Sequence, residues 1–105
     1  MRFVETPVFT DAVTTLLTDE EYRRLQIALA LRPEQGTIIR GSGGLRKVRW
    51  GAAGRGKRGG LRVIYYWDPP EDLCLMLYVY DKRVQGDLTP AEVKVLRQVV
   101  EEEFG

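Results

Sequence analysis

A concentration of basic residues is the feature of this sequence with the clearest chemical meaning. Half of the 16 lysines and arginines lie between positions 40 and 62, a segment without any aspartate or glutamate. They are Arg40, Arg46, Lys47, Arg49, Arg55, Lys57, Arg58 and Arg62. The rest of the chain carries the other eight and all 15 acidic residues, a net charge of −7, although the whole chain is +1. Positive charge held in one segment predicts a site for an anion; the simpler alternative is a solvated basic loop.

The absence of histidine narrows the chemistry that this site could perform. The chain has no histidine and a single cysteine, Cys74. Serine–histidine–aspartate triads, cysteine–histidine dyads and histidine-ligated metals are therefore excluded. One thiol cannot form a disulfide framework, and Cys74 lies in an apolar run, where a free cysteine is commonly buried. We expect no metal and no cofactor, with acid–base groups drawn from carboxylates, lysine, arginine or tyrosine.

One motif in the basic segment resembles a nucleotide-binding loop but is incomplete. Gly51, Gly56 and Lys57 match most of a Walker A phosphate loop. However, Arg58 stands where serine or threonine would bind magnesium, and the residues that follow have the pattern of a strand instead of a helix. Without the hydroxyl and the helix N-terminus the phosphate cradle is not formed. Nucleotide hydrolysis is therefore not predicted.

The same loop has the composition of a nucleic-acid-binding segment. Five glycines between positions 51 and 60 let the backbone approach a partner closely. Arginine and lysine in the loop suit phosphates. Bases of single-stranded RNA stack on aromatic side chains, and five aromatics flank the basic residues in sequence: Trp50, Tyr65, Tyr66, Tyr78 and Tyr80. The alternative is that these aromatics belong to the core, which we prefer for Tyr78 and for Trp67.

Hydrophobic periodicity and capping signals predict an α+β fold in one domain, residues 1–105. We expect a possible strand at 2–5, helices at about 8–17 and 18–31, strands at 45–50, 61–67 and 73–80, and a helix from Thr89 to about Phe104. Thr18 and Thr89 each begin a capping box. The short connections predict a three-strand antiparallel meander, with the possible N-terminal strand added. The N-terminal helical hairpin and the C-terminal helix are expected to pack on one face of this sheet.

Strand alternation also predicts how the basic residues are presented. In the strand at 45–50, Lys47 and Arg49 point to one face while Arg46, Val48 and Trp50 point to the other. Arg62 lies on the next strand, so the sheet can present Lys47, Arg49 and Arg62 together in a shallow cleft. Which residues share a face across strands depends on the register, which the sequence does not determine.

The segment from Gly43 to Trp67 closely resembles the core of RelE-superfamily toxins, particularly the HigB-type branch. It contains a Gly-Leu-Arg-Lys strand, a Gly-Lys-Arg-Gly-Gly loop and an Arg-Val-Ile-Tyr-Tyr strand, and residues 78–82 are similar to the last strand of that family. The resemblance implies the RelE-like fold and the toxin of a type II toxin–antitoxin system. Such toxins are ribosome-dependent mRNA endoribonucleases (mRNA interferases): they cleave the A-site codon by attack of a ribose 2′-hydroxyl on its neighbouring phosphate and so inhibit translation.

The resemblance also implies roles for individual residues. Lys47, Arg49, Arg62 and Lys82 match the catalytic positions, with Lys47 as the base, Arg62 on the phosphate and Lys82 or Arg83 as the acid. A lysine crowded by arginines releases its proton more readily, because like charges disfavour its charged form. Contacts to mRNA or the ribosome are assigned to Arg46, Arg55, Lys57, Arg58, Tyr66 and Arg83. One departure is that no aromatic lies between positions 84 and 96, where the family carries a base-stacking tyrosine; Tyr66 or Trp50 is the candidate replacement.

Partners and alternatives follow from the same resemblance. The implied partners are a cognate HigA-like helix-turn-helix antitoxin, the ribosome and mRNA, with DNA contacted only through the antitoxin complex.

With no apolar run near the roughly 20 residues that cross a bilayer and no signal-peptide pattern, we expect a cytoplasmic protein without membrane contact. The alternatives are a ParE-like poison of DNA gyrase, against which the four basic positions count, and a degenerate module that only binds RNA or its antitoxin.

Overall fold

The chain folds around a central sheet that carries helices on both faces. The computed structural model describes residues 1–51 and 60–104. Arg55, Lys57 and Arg58, expected to contact RNA or the ribosome, lie outside the described residues, as does most of the Walker-like run. In chain order the elements are β1 (Arg2–Glu5), α1 (Pro7–Leu16), α2 (Asp19–Leu31), β2 (Thr37–Ile38), β3 (Arg46–Trp50), β4 (Leu61–Asp68), β5 (Leu73–Asp81) and α3 (Pro90–Phe104). The α+β class predicted from the sequence is confirmed.

The sheet is larger than predicted and is mixed. Its order is β1-β5-β4-β3-β2. The antiparallel meander of β3, β4 and β5 is confirmed, and the N-terminal strand joins it. That strand runs parallel to β5, with Phe3 opposite Cys74, so the sheet is not purely antiparallel. A fifth strand, β2, pairs with β3 through Thr37 and Ile38. Both β2 residues are exposed, and two residues show no periodicity from which a strand can be predicted.

Side-chain caps begin α1, α2 and α3, and the caps of α2 and α3 are the two that the sequence predicts. The Thr18 hydroxyl accepts a hydrogen bond from the Glu21 N–H at 3.1 Å, and the Glu21 carboxylate accepts one from the Thr18 N–H at 2.8 Å. Thr89 and Glu92 form the same reciprocal pair at 3.1 and 2.8 Å. These bonds satisfy N–H groups that the first turn of a helix leaves without a partner. The first helix starts one residue earlier than predicted, at Pro7, because Thr6 is its N-cap.

The helices do not all pack on one face, contrary to the prediction. Phe9 and Val13 of α1 and Leu25 of α2 pack with one set of sheet residues, including Val63. Val100 of α3 packs on the opposite face, in a second core cluster. Because β4 and β5 are apolar at successive positions, both of their faces require cover. The hairpin of α1 and α2 therefore covers one face and α3 the other.

A bulge in β5 determines which tyrosines reach the α3 face. Ile64 is opposite Tyr78, whereas the next residue, Tyr65, is opposite Met76, so Leu77 is the extra residue. Leu77 and Tyr78 both lie on the α3 side as a result, and Tyr80 follows there. The rings of Tyr78 and Tyr80 stack with centroids 5.6 Å apart.

Candidate functional site

The sheet register places three of the predicted basic residues on the α3 face. Lys47 lies opposite Ile64 and Arg49 directly opposite Arg62. Val48 and Trp50 pack against the core beneath the helical hairpin, so the alternating residues Lys47 and Arg49 face the other way. The predicted grouping of Lys47, Arg49 and Arg62 on one face is therefore confirmed, and the pairing that the sequence left open is now defined.

Lys47 and Lys82 converge on a carboxylate that sequence reasoning did not single out. The Nζ atoms of Lys82 and Lys47 lie 3.4 and 3.8 Å from Oδ1 of Asp87, in the segment between β5 and α3. Hydrogen bonding from Lys82, followed by the charges of Lys47 and Lys82 and a smaller effect of Arg62, holds the pKa of Asp87 below its usual range. The Asp87 side chain is 61% exposed, so a ligand in solvent can reach it. We call Lys47, Arg62, Tyr80, Lys82 and Asp87 the Asp87 cluster.

Arg62 brings a nearly buried charge into this cluster. Its residue exposure is 8%, and one guanidinium nitrogen donates to the Leu61 carbonyl at 3.2 Å. Its charge contributes to the lowered pKa of Asp87 and partly opposes the rise in the pKa of Tyr80. Arg49 lies directly opposite Arg62 across the strands, so two guanidinium-bearing residues share this part of the face.

Tyr80 lies opposite Arg62 and brings a neutral hydroxyl to the cluster. The residue is only 3% exposed, and within residues 1–51 and 60–104 its hydroxyl has no hydrogen-bond partner. Burial is the main cause that raises the pKa of Tyr80, and the carboxylates of Asp87 and Glu92 add to it. The phenol therefore stays protonated at neutral pH and can donate a hydrogen bond. In the sequence alone, Tyr80 is only one of several aromatics near basic residues.

Three residues assigned to RNA or ribosome contacts are engaged with partners that do not belong to the cluster. The Arg46 guanidinium is on the hairpin face and donates to the carbonyls of Glu34 and Gly36 at 3.0 and 2.9 Å. Tyr66 packs on Phe104, with centroids 5.4 Å apart, at the C-terminal end of α3. Arg83 is held by Asp81 through bonds of 3.1 and 2.9 Å. Of the two candidate acids, the structure therefore places Lys82, and not Arg83, in the cluster.

Tyr66 lies on the same face of the sheet as Lys47. Ile64 is opposite Lys47, and Tyr66 is two residues further along β4, which makes it a diagonal neighbour of Lys47 across the two strands. Its ring packs on Phe104, so a base that stacks on Tyr66 must share or replace that contact.

The chemistry available to the cluster is that of an anion site with proton donors and one acceptor. Two ammonium groups, a guanidinium and a phenol can each donate to anionic oxygens, while Asp87 can accept a proton.

No family model matches the chain. Among the described residues no group of three or more histidine, cysteine, aspartate or glutamate side chains could hold a metal. None of the helices in those residues has the length and apolar character of a membrane span.

Proposed function

We propose that this protein is the toxin of a type II toxin–antitoxin system, a metal-independent endoribonuclease that cleaves mRNA on the ribosome. The observation that carries the proposal is the convergence of Lys47 and Lys82 on Asp87, with Arg62 acting on the same carboxylate. The resemblance of residues 43–67 to the HigB-type core supports the same function. A chain without histidine needs such a group of donors to cleave RNA.

The proposed reaction is an intramolecular transesterification at a phosphate of the RNA. A ribose 2′-hydroxyl attacks the adjacent phosphorus, and the bond to the 5′ oxygen breaks, which leaves a 2′,3′-cyclic phosphate and a 5′-hydroxyl. Arg62 and Arg49 suit the phosphate because a guanidinium donates two parallel hydrogen bonds. Lys82 is the proton donor to the 5′ oxygen, and the resemblance gives the base to Lys47. Fixed positive groups at the developing charge stabilise the transition state.

The proposal includes partners that the resemblance implies. A HigA-like antitoxin would hold the protein inactive, and that complex, through the antitoxin, would account for any DNA binding. The ribosome would present the mRNA, which places the activity in the cytoplasm. Arg46 and Arg83 contact RNA under this proposal only if they leave their present partners, the carbonyls of Glu34 and Gly36 and the carboxylate of Asp81.

Two observations favour a second candidate, a module that binds RNA or an antitoxin without cleaving. In the free protein Asp87 neutralises part of the charge of Lys47 and Lys82. No aromatic lies between positions 84 and 96 to stack on the cleaved base. Such a module would bind single-stranded RNA with an affinity that falls steeply with salt.

The two candidates are separated by adding the purified protein to a defined mRNA with and without ribosomes and mapping new 5′ ends. The proposed toxin gives ribosome-dependent cuts whose upstream fragments end in a cyclic phosphate. Salt-dependent binding without new ends would instead identify the binding module. A gyrase supercoiling assay run beside it covers the gyrase poison, since inhibited supercoiling with intact mRNA would replace the proposal altogether.

A further inference from the structure

Asp87 is surrounded by cations from several elements of the fold. Lys47 of β3 and Lys82 at the end of β5 contact its carboxylate, and Arg62 of β4 acts on it through its charge. Tyr80 of β5 is close enough for Asp87 to raise the pKa of its phenol, and Glu92 of α3 has the same effect on that phenol. Asp87 is thus a proton acceptor in direct contact with both of the lysines proposed to act on RNA.

The ion pairs determine which group in the cluster is ready to accept a proton. Lys47 and Lys82 pair with Asp87 through their ammonium groups, at 3.8 and 3.4 Å from its carboxylate. An ammonium group has to lose a proton before it can act as a base. Asp87 requires no such step, since the surrounding cations keep its pKa below the usual range and the carboxylate is ionised at neutral pH.

We propose that Asp87 is the general base of the cleavage and that Lys47 binds the phosphate instead; this inference rests on the proposed function. The Asp87 carboxylate takes the proton of the attacking 2′-hydroxyl as the 2′-oxygen–phosphorus bond forms. As the bond from phosphorus to the 5′ oxygen breaks, Lys82 gives its proton to that oxygen. Asp87 and Lys82 are already in contact at 3.4 Å, so the proton gained by one returns to the other and restores the starting state.

The two assignments of the base predict different pH dependences. With Asp87 as base and Lys82 as acid, both groups are in their active forms at neutral pH, so the cleavage rate is flat from about pH 6 to about pH 8.5. With Lys47 as base, only its small deprotonated fraction is active, and that fraction grows about tenfold for each pH unit. The slope of the rate against pH therefore identifies the base.

The test is single-turnover cleavage of ribosome-bound mRNA at saturating protein across this pH range. The variants are Asp87→Asn, which keeps the shape and removes the charge, and Asp87→Glu, which keeps the carboxylate. Glu101→Gln is the matched control, because Glu101 is an exposed carboxylate paired with Arg97 on α3, outside the cluster. Binding of a non-cleavable single-stranded RNA is measured in parallel, and thermal unfolding verifies that each variant is folded.

The inference predicts a flat wild-type profile and a loss of at least about a hundredfold in rate for Asp87→Asn. The same variant binds RNA more tightly, because a negative charge has been removed beside the phosphate site. Asp87→Glu keeps part of the rate with a flat profile, and Glu101→Gln matches the wild type. The inference would be overturned by a wild-type rate that rises tenfold per pH unit, or by an Asp87→Asn variant whose cleavage rate is within about threefold of the wild-type rate. Either result would leave the proposed function in place. Absence of wild-type cleavage at every pH would instead remove the proposed function, and this inference with it.

Discussion

Two buried tyrosines differ in whether their hydroxyls are hydrogen-bonded, and comparing them tests how much such bonds stabilise this fold. Tyr65 is fully buried; its hydroxyl donates to the Pro33 carbonyl at 2.6 Å and accepts from the Gly36 N–H at 2.9 Å. Tyr80 is 3% exposed, and its hydroxyl makes no hydrogen bond with the part of the chain that the structure describes. Replacing each by phenylalanine removes one oxygen from similar surroundings.

The two substitutions are expected to change the free energy of unfolding by different amounts and in different directions. Tyr65→Phe leaves a carbonyl and an N–H without their partner, at about 1 to 2 kcal/mol each, so we expect a loss of about 2 to 4 kcal/mol. That corresponds to a fall in Tm of roughly 10 °C or more for a domain of this size. Tyr80→Phe breaks no such bond and removes a desolvated hydroxyl, so stability stays the same or rises by up to about 1 kcal/mol.

Urea unfolding of the wild type and both variants measures these values, and equal m-values would show that the unfolding reaction is unchanged. If Tyr80→Phe lowers the free energy of unfolding as much as Tyr65→Phe does, the Tyr80 hydroxyl has a hydrogen-bond partner in solution, contrary to this prediction. If the variant is stable but cleaves RNA more slowly, the hydroxyl donates to the substrate or to Asp87 during the reaction.

Three further predictions concern the helix cap, the thiol and the charge of the site. Thr18→Ala removes one half of the capping box with Glu21 and should lower the free energy of unfolding by about 1 kcal/mol, with Thr18→Ser close to wild type in the same urea titration. Burial raises the pKa of Cys74 to about 12, so a thiol reagent at about pH 8 should react only as fast as the protein opens; rapid labelling of folded protein would disprove this. Lys82→Ala should reduce the log–log salt slope of RNA binding by about 0.7, whereas Lys94→Ala, an exposed lysine of α3, should leave it unchanged.

The parts of the fold encoded by local patterns could be predicted from the sequence. The pairs Thr18–Glu21 and Thr89–Glu92 each mark a helix start, and the two residues of a pair are close together in the sequence. β2 could not be predicted, because Thr37 and Ile38 are exposed and pair only with β3. The sequence does contain a signal for the position of α3. The apolar run of β5, five consecutive buried residues from Leu73, is typical of a strand covered on both faces.

The candidate site was predictable only in part, for a similar reason. Alternation along β3 was enough to place Lys47 and Arg49 on one face. The pairing of Arg62 with Tyr80 depends on the register and on the bulge at Leu77, neither of which is visible in a single sequence. Asp87 is 40 residues from Lys47 in the chain, and it enters the site only because the segment after β5 folds back over the α3 face. Non-local contacts of this kind require the three-dimensional structure.

Primer extension on a defined mRNA in a reconstituted translation system shows whether the basic residues of the Asp87 cluster cleave mRNA. Wild type is compared with Lys47→Ala, Arg62→Ala and the control Lys94→Ala, with folding of each verified by thermal unfolding. We expect cleavage at A-site codons only when ribosomes are present, lost in Lys47→Ala and Arg62→Ala and retained in Lys94→Ala. Full cleavage by a folded Arg62→Ala variant, or no cleavage by the wild type under any condition, would contradict the proposed role of the cluster.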